Sequence, residues 1–123
     1  PMIAVVMSPE AKNKYEALVQ PGGMLVINTS LVREPAVRTD LHVVEVPASE
    51  IATELGTVKM ANVVMLGALL GSRPIVDLGT MEQVVAQQFT GSKRALVAPN
   101  QEALRAGARH AQTAAEAATQ SVG

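Results

Sequence analysis

A layered α/β fold with a mostly parallel sheet is what this sequence predicts, on three observations. Met2 to Met7 and Met24 to Ile27 are short, unbroken apolar runs rich in β-branched residues, as in strands covered on both faces. A helical pattern with its own start signal lies between them, so the order is strand, helix, strand. From Met60 to Leu70 the chain is apolar almost all round. A helix of that kind is buried on most of its surface, either in a layer shared with a sheet or at an interface with another chain.

The elements follow in order. Ser8 stands where an N-cap is expected, and Pro9 fits the first helical position, where no N–H is needed. Ala11, Tyr15, Leu18 and Val19 are the expected inward stripe of this helix, which ends at Pro21-Gly22-Gly23. After the second strand come Asn28, Thr29 and Ser30, then a polar connection from Arg33 to Asp40 and a third strand from Leu41 to Val46. Right-handed crossover makes the first two strands parallel. Beyond Pro47 a short helix carries Ile51 and Leu55 one turn apart and closes at Gly56. The apolar helix follows, and Gly67 in its middle implies close packing against another backbone. Asp77 caps a further helix to about Gln88, with Met81, Val84, Val85 and Phe89 inward. The last helix starts at Pro99 or Asn100, with a weak stripe of Ala103, Leu104, Ala108 and Ala111. Residues 1–111 form one domain, and 112–123, poor in large apolar side chains, are expected to fray as a flexible tail.

Composition excludes several classes. With 123 residues the chain fits one domain, and 48% hydrophobic against 17% charged residues is ordinary for a globular protein. A net charge of −1, no basic run and a single Tyr and Phe speak against nucleic acid. No apolar run reaches the ~18 residues of a membrane span. Without cysteine the chain can build no disulfide, thiolate metal site or iron–sulfur cluster, and the expected location is the cytoplasm. His42 and His110 have no partners at metal-ligand spacing and read as surface residues. Glu50 and Glu54, one helical turn apart, read as a solvated face, and Asn62 as a cap or a contact to a neighbouring subunit. No nucleophile elbow, Walker loop or GxGxxG turn is present.

The candidate site is therefore topological. Open α/β sheets form their crevice at the carboxyl ends of parallel strands, which places Ser8 beside Asn28, Thr29 and Ser30. The helix starting at Ser8 directs its positive dipole end there. An anionic group could be received if backbone N–H groups face solvent or a partner. Plain helix capping by Ser8 and a strand-ending turn at Asn28 to Ser30 account for the same residues.

Five segments in order, IAVVMSPEAKNKY, QPGGMLVINTSLV, VPASEIATELG, ANVVMLGALL and NQEALRAG, resemble the gamma subunit or domain of the 2-oxoacid:ferredoxin oxidoreductases, from Ile3 to about Gly107. The resemblance implies a three-layer, Rossmann-like α/β fold, here without the family's first strands and glycine-rich turn. It implies an assembly that oxidises a 2-oxoacid with coenzyme A to an acyl-CoA and carbon dioxide and reduces ferredoxin. Thiamine diphosphate with Mg²⁺ and iron–sulfur clusters would sit in other subunits, no cofactor in this chain. Ser8, Asn28, Thr29 and Ser30 would lie on the coenzyme A side. The other subunits are the implied partners, in a homo- or hetero-oligomer, and the isolated chain would be inactive. The alternatives are a non-catalytic α/β assembly or binding module and an independent nucleotide-binding protein, the latter opposed by the absent glycine-rich turn.

Overall fold

The computed structural model describes residues 2–56, 58–73 and 77–122, with side chains as far as residue 115. Strands β1 (Ile3–Val6), β2 (Met24–Asn28) and β3 (His42–Val46) form one parallel sheet in the order β1-β2-β3. Ile3 lies opposite Met24, and Met24 opposite His42, so all three strands run in step and end on the same side. Helices are α1 (Pro9–Leu18), α2 (Ala48–Glu54), α3 (Ala61–Ser72), α4 (Leu78–Gln88) and α5 (Val97–Val122), with 3₁₀ turns at Val58–Met60 and Gly91–Leu96.

Side-chain alternation divides the core in two. Ala4, Val6, Leu25 and Ile27 point to one face and pack with Val19 after α1 and Val32 of the β2–β3 loop. Met24, Val26, Val44 and Val46 point to the other and meet α2, α3 and α5. The result is the expected three-layer α/β arrangement. Central β2 is buried along its whole length, in keeping with its unbroken apolar run. β1 departs from expectation: Val5 is 42% exposed on the α3 side, because α3 packs chiefly on β2 and β3 and α5 chiefly on β3.

The apolar α3 is internal. Val64, Met65 and Ala68 are buried, and α5 covers the face that the sheet and α2 do not. Gly67 explains how: a Cβ there would fall on the carbonyl of Leu104, and one at Gly107 on the carbonyl of Val64. The close approach anticipated at Gly67 is thus between two helices of one chain. It also accounts for α5, whose Ala103, Leu104, Ala108 and Ala111 are buried although the stripe looked weak. Small side chains bring the backbones together where large ones would hold them apart. Helix α5 begins at Val97, slightly before Pro99, and continues through the expected tail to Val122; Ala-rich composition favours that state. Gly123 and Pro1 lie outside the described residues.

Helix α1 corrects the sequence reading. Tyr15 and Leu18 of the expected inward stripe are exposed, whereas Lys12 (2% exposed) and Glu16 (5%) are buried. Lys12 Nζ lies 3.0 Å from Glu16 Oε1. Glu16 Oε2 accepts the N–H of Val37 at 2.6 Å and of Arg38 at 2.8 Å. The Arg38 guanidinium donates to the carbonyls of Glu16 and Val19 at the end of α1, where carbonyls lack helical partners, and pairs with Asp40. A charged clamp thereby fastens the β2–β3 loop to α1. Burial pushes the Glu16 carboxyl up, but the Arg38 amide, Lys12 and the Val37 amide outweigh it and hold the carboxyl below its ordinary value.

Helix α4 is peripheral. Asp77 caps it, accepting the Thr80 N–H at 3.1 Å as its sequence position implies. Met81, Val85 and Phe89 are half-buried, but Val84 is exposed, contrary to the expected inward stripe. Glu82 ties the helix to Arg105 of α5 at 2.7 Å.

Candidate functional site

The three strands end together at Val6, Asn28 and Val46, and the chain leaves them through Met7-Ser8, Thr29-Ser30 and Pro47. Ser8 caps α1: its Oγ accepts the Ala11 N–H at 3.1 Å. Glu10 occupies the first turn of the same helix, so the positive dipole end already has an acidic neighbour.

Asn28 is fully buried at the end of the central strand. Its Oδ1 accepts the N–H of Ser30 at 3.1 Å and of Ala48 at 3.0 Å. Its Nδ2 donates to Ser49 Oγ at 3.1 Å and points toward the Met7 sulfur at 3.9 Å. Ser30 Oγ accepts the Glu50 N–H at 3.2 Å. Asn28 and Ser30 therefore cap α2 from another strand end, which explains how α2 starts after Pro47 with no side-chain cap of its own. The β2–β3 loop is joined to α2 by the same contacts.

The backbone follows the same rule. The Thr29 N–H donates to Val46 O, and those of Leu31 and Val32 to Asn28 O. N–H groups expected to face solvent or a partner are instead turned into the chain. An Asx-type strand ending describes Asn28 to Ser30, and capping describes Ser8. Thr29, half-buried, is the member of the set whose hydroxyl has no hydrogen-bond partner among the described residues.

Outside this cluster lies an open depression lined by Ser30, Leu31, Ser49, Glu50, Thr53 and Glu54. Two carboxylates and no cation line it, so an anion gains no counter-charge there. Of the histidines, His42 is exposed, and His110 is half-buried with Nε2 at 3.1 Å from Glu45 O. Asn62 is exposed near the start of α3. Among the described residues no group of three His, Asp or Glu could hold a metal ion, and the chain has no Cys.

Of the four candidate residues, the structure joins Asn28 and Ser30 through a shared hydrogen bond, while the Ser8 side chain is engaged with its own helix. Sequence reasoning missed Ser49 and the Ala48 amide, for which a polar residue two positions after Pro47 is the only signal. No helix among the described residues is long and apolar enough to cross a membrane.

Residues 1–110 match the pyruvate ferredoxin/flavodoxin oxidoreductase family. The chain is 32% identical over 87 residues to a Methanocaldococcus jannaschii protein named 2-oxoglutarate synthase subunit KorC, covering 69% of this chain and 46% of that protein. It thus spans about half the length of this curated relative. Its fold is that of a keto/oxoacid ferredoxin oxidoreductase gamma subunit from Geobacter sulfurreducens, with a TM-score of 0.80 at 24% identity over 91% of this chain and 64% of that one. The 2-oxoglutarate:ferredoxin oxidoreductase of Magnetococcus marinus, solved with 2-oxoglutarate, coenzyme A and succinyl-CoA, matches with a TM-score of 0.79 at 24% identity, over 91% of this chain and 20% of that one. With residues 1–110 of its 123 matched, the chain belongs to the pyruvate ferredoxin/flavodoxin oxidoreductase family.

Proposed function

We propose that this chain acts as a gamma subunit, or the corresponding part of one, in a 2-oxoacid:ferredoxin oxidoreductase. The family match over residues 1–110 carries this reading. The assembly would convert a 2-oxoacid and coenzyme A to an acyl-CoA and carbon dioxide, passing the electrons to ferredoxin. The named relative, a 2-oxoglutarate synthase subunit, favours 2-oxoglutarate over pyruvate as the acid.

Within such an assembly the chain's part is structural. Thiamine diphosphate, Mg²⁺ and iron–sulfur clusters would reside in other subunits, since this chain has no thiolate and no described metal-ligand cluster. Its own residues hold the strand ends and α2 in register, presenting a preformed surface to its neighbours. If coenzyme A reaches the corner of Ser8, Asn28, Thr29 and Ser30, Thr29 is the residue left to touch it, with the other three as framework.

The reading is tested by coexpressing the chain with the remaining subunits and following ferredoxin reduction with 2-oxoglutarate, pyruvate and 2-ketoisovalerate in turn. Coenzyme A-dependent reduction with 2-oxoglutarate is expected. Turnover with none of the acids would refute it. Thr29→Val in the same complex should raise the KM for coenzyme A with kcat unchanged if that contact exists.

A further inference from the structure

The ion pair buried under α1 is not required by packing. Well-packed apolar side chains would fill that space as well as Lys12 and Glu16 do. What they could not do is bond the amides of Val37 and Arg38, which Glu16 Oε2 accepts. Arg38 adds four bonds of its own, to the Glu16 and Val19 carbonyls and to both carboxylate oxygens of Asp40. The connection from Thr29 to Leu41 contains no helix or strand, and a connection of that length held in one shape is usually functional.

Val37, at the centre of this clamp, is 82% exposed, more than any other large apolar side chain among the described residues. One exposed valine is ordinary. This one is fixed through its own amide to a buried carboxylate, so a partner that covers it meets no further ordering cost in the loop. Beside it lies an open hollow of about 250 Å³ between α1 and the loop, lined by Lys12, Asn13, Glu16, Ala17, Val37 and Arg38. That is smaller than the ~300–1,000 Å³ of a small-molecule site, and it suits one or two side chains of another protein. Both walls are described from end to end.

The chemistry of the walls says what such a partner brings. Ala17 and Val37 are exposed and offer apolar contact. Lys12 and Arg38 set two cations against the one carboxylate of Glu16, whose oxygens are already engaged by Lys12 and by the two amides. Asp40 balances Arg38 from outside the hollow. A guanidinium nevertheless carries five N–H groups, and Arg38 uses four. The exposed Asn13 amide has no hydrogen-bond partner among the described residues. Donors are in surplus, and an apolar side chain next to a carboxylate matches the site.

We propose that Val37 and the hollow beside it anchor an acidic, apolar-tipped segment of a neighbouring subunit of the oxidoreductase. The apolar side chain packs on Val37 and Ala17, and the carboxylate takes the remaining N–H groups of Arg38 and Asn13. This rests on the gamma-subunit reading above.

The test uses the tagged full chain coexpressed with the remaining subunits. With p-benzoylphenylalanine in place of Val37, irradiation should cross-link the chain to a different subunit, at a peptide carrying Asp or Glu. Val37→Asp should lower the amount of the other subunits recovered with the tag by at least roughly tenfold. Urea unfolding of the isolated variant should be unchanged, since that side chain already stands in water. Ala17→Glu should lower recovery likewise, and Ala17→Lys, of similar bulk, should leave it nearly intact. A cross-link to a second copy of the chain, a cross-link to a peptide without an acidic residue, or no cross-link would overturn the proposal. So would full recovery with Val37→Asp, or equal losses from Ala17→Glu and Ala17→Lys. Those outcomes leave the gamma-subunit reading standing, because the unaltered chain still brings the other subunits with it; if it brings none, both fall.

Discussion

Replacing Glu16 by Ala removes one carboxylate and leaves three donors behind. The Lys12 ammonium, 2% exposed, loses its counter-charge, and the Val37 and Arg38 amides lose their acceptor. Breaking a buried pair from one side costs about 3–5 kcal/mol. Orphaned amides add about 1–3 kcal/mol each unless the loop swings out to water. With that relaxation allowed, the expected loss is about 3–4 kcal/mol, a large share of the ~5–15 kcal/mol available to a domain. Urea unfolding reads it as a midpoint lowered by roughly 2 M at a slope of about 1.5–2 kcal/mol/M. Lys12→Met leaves Glu16 with both amide donors and should cost less. Acid provides an independent check. The folded Glu16 carboxyl titrates below its ordinary value of 4.5, so its contribution is fully present above that pH and is lost as pH falls through the folded value. Glu16→Gln should flatten the stability profile in that acid range. A loss under ~1 kcal/mol for Glu16→Ala would show that Lys12 simply reaches water along its aliphatic stem, refuting the clamp.

Gly67→Ala would gain ~1 kcal/mol by helix propensity alone. Collision with the Leu104 carbonyl instead predicts a net loss of about 1–3 kcal/mol, read in the same unfolding assay, and Gly107→Ala should behave alike against Val64. Asn28→Ala, which strips the cap from α2 and orphans two amides, should cost about 2–4 kcal/mol. Asn28→Asp should retain most of that stability at neutral pH, because a carboxylate accepts both amides and the Ser49 hydroxyl can turn to donate.

Sequence periodicity found the strands, the Ser8 and Asp77 caps, the turn at Gly56 and the burial of α3, because each rests on local chemistry. It misread α1. Tyr15 and Leu18 count as inward on any hydrophobicity pattern, and a Lys12–Glu16 pair one turn apart looks like a solvated ion pair. What buries that pair is the loop around Arg38, distant in sequence, whose amides cannot be placed from a pattern. Helix α5 was undervalued for a related reason: alanine and glycine score as weak core residues, yet their smallness brings α3 within backbone contact. At the candidate site, that the parallel strands end together was legible in the pattern of the chain. The direction of the N–H groups was not, since it depends on Asn28 capping a helix from a different strand end.

The claim that this chain serves as the gamma component of an oxidoreductase assembly is tested most directly by an affinity tag on the chain itself. Coexpressed with the remaining subunits and purified through the tag, it should carry with it 2-oxoglutarate- and coenzyme A-dependent reduction of ferredoxin, while the tagged chain purified alone shows none. Recovery of the folded chain without that activity, all of it remaining in the unbound fraction, would contradict the account.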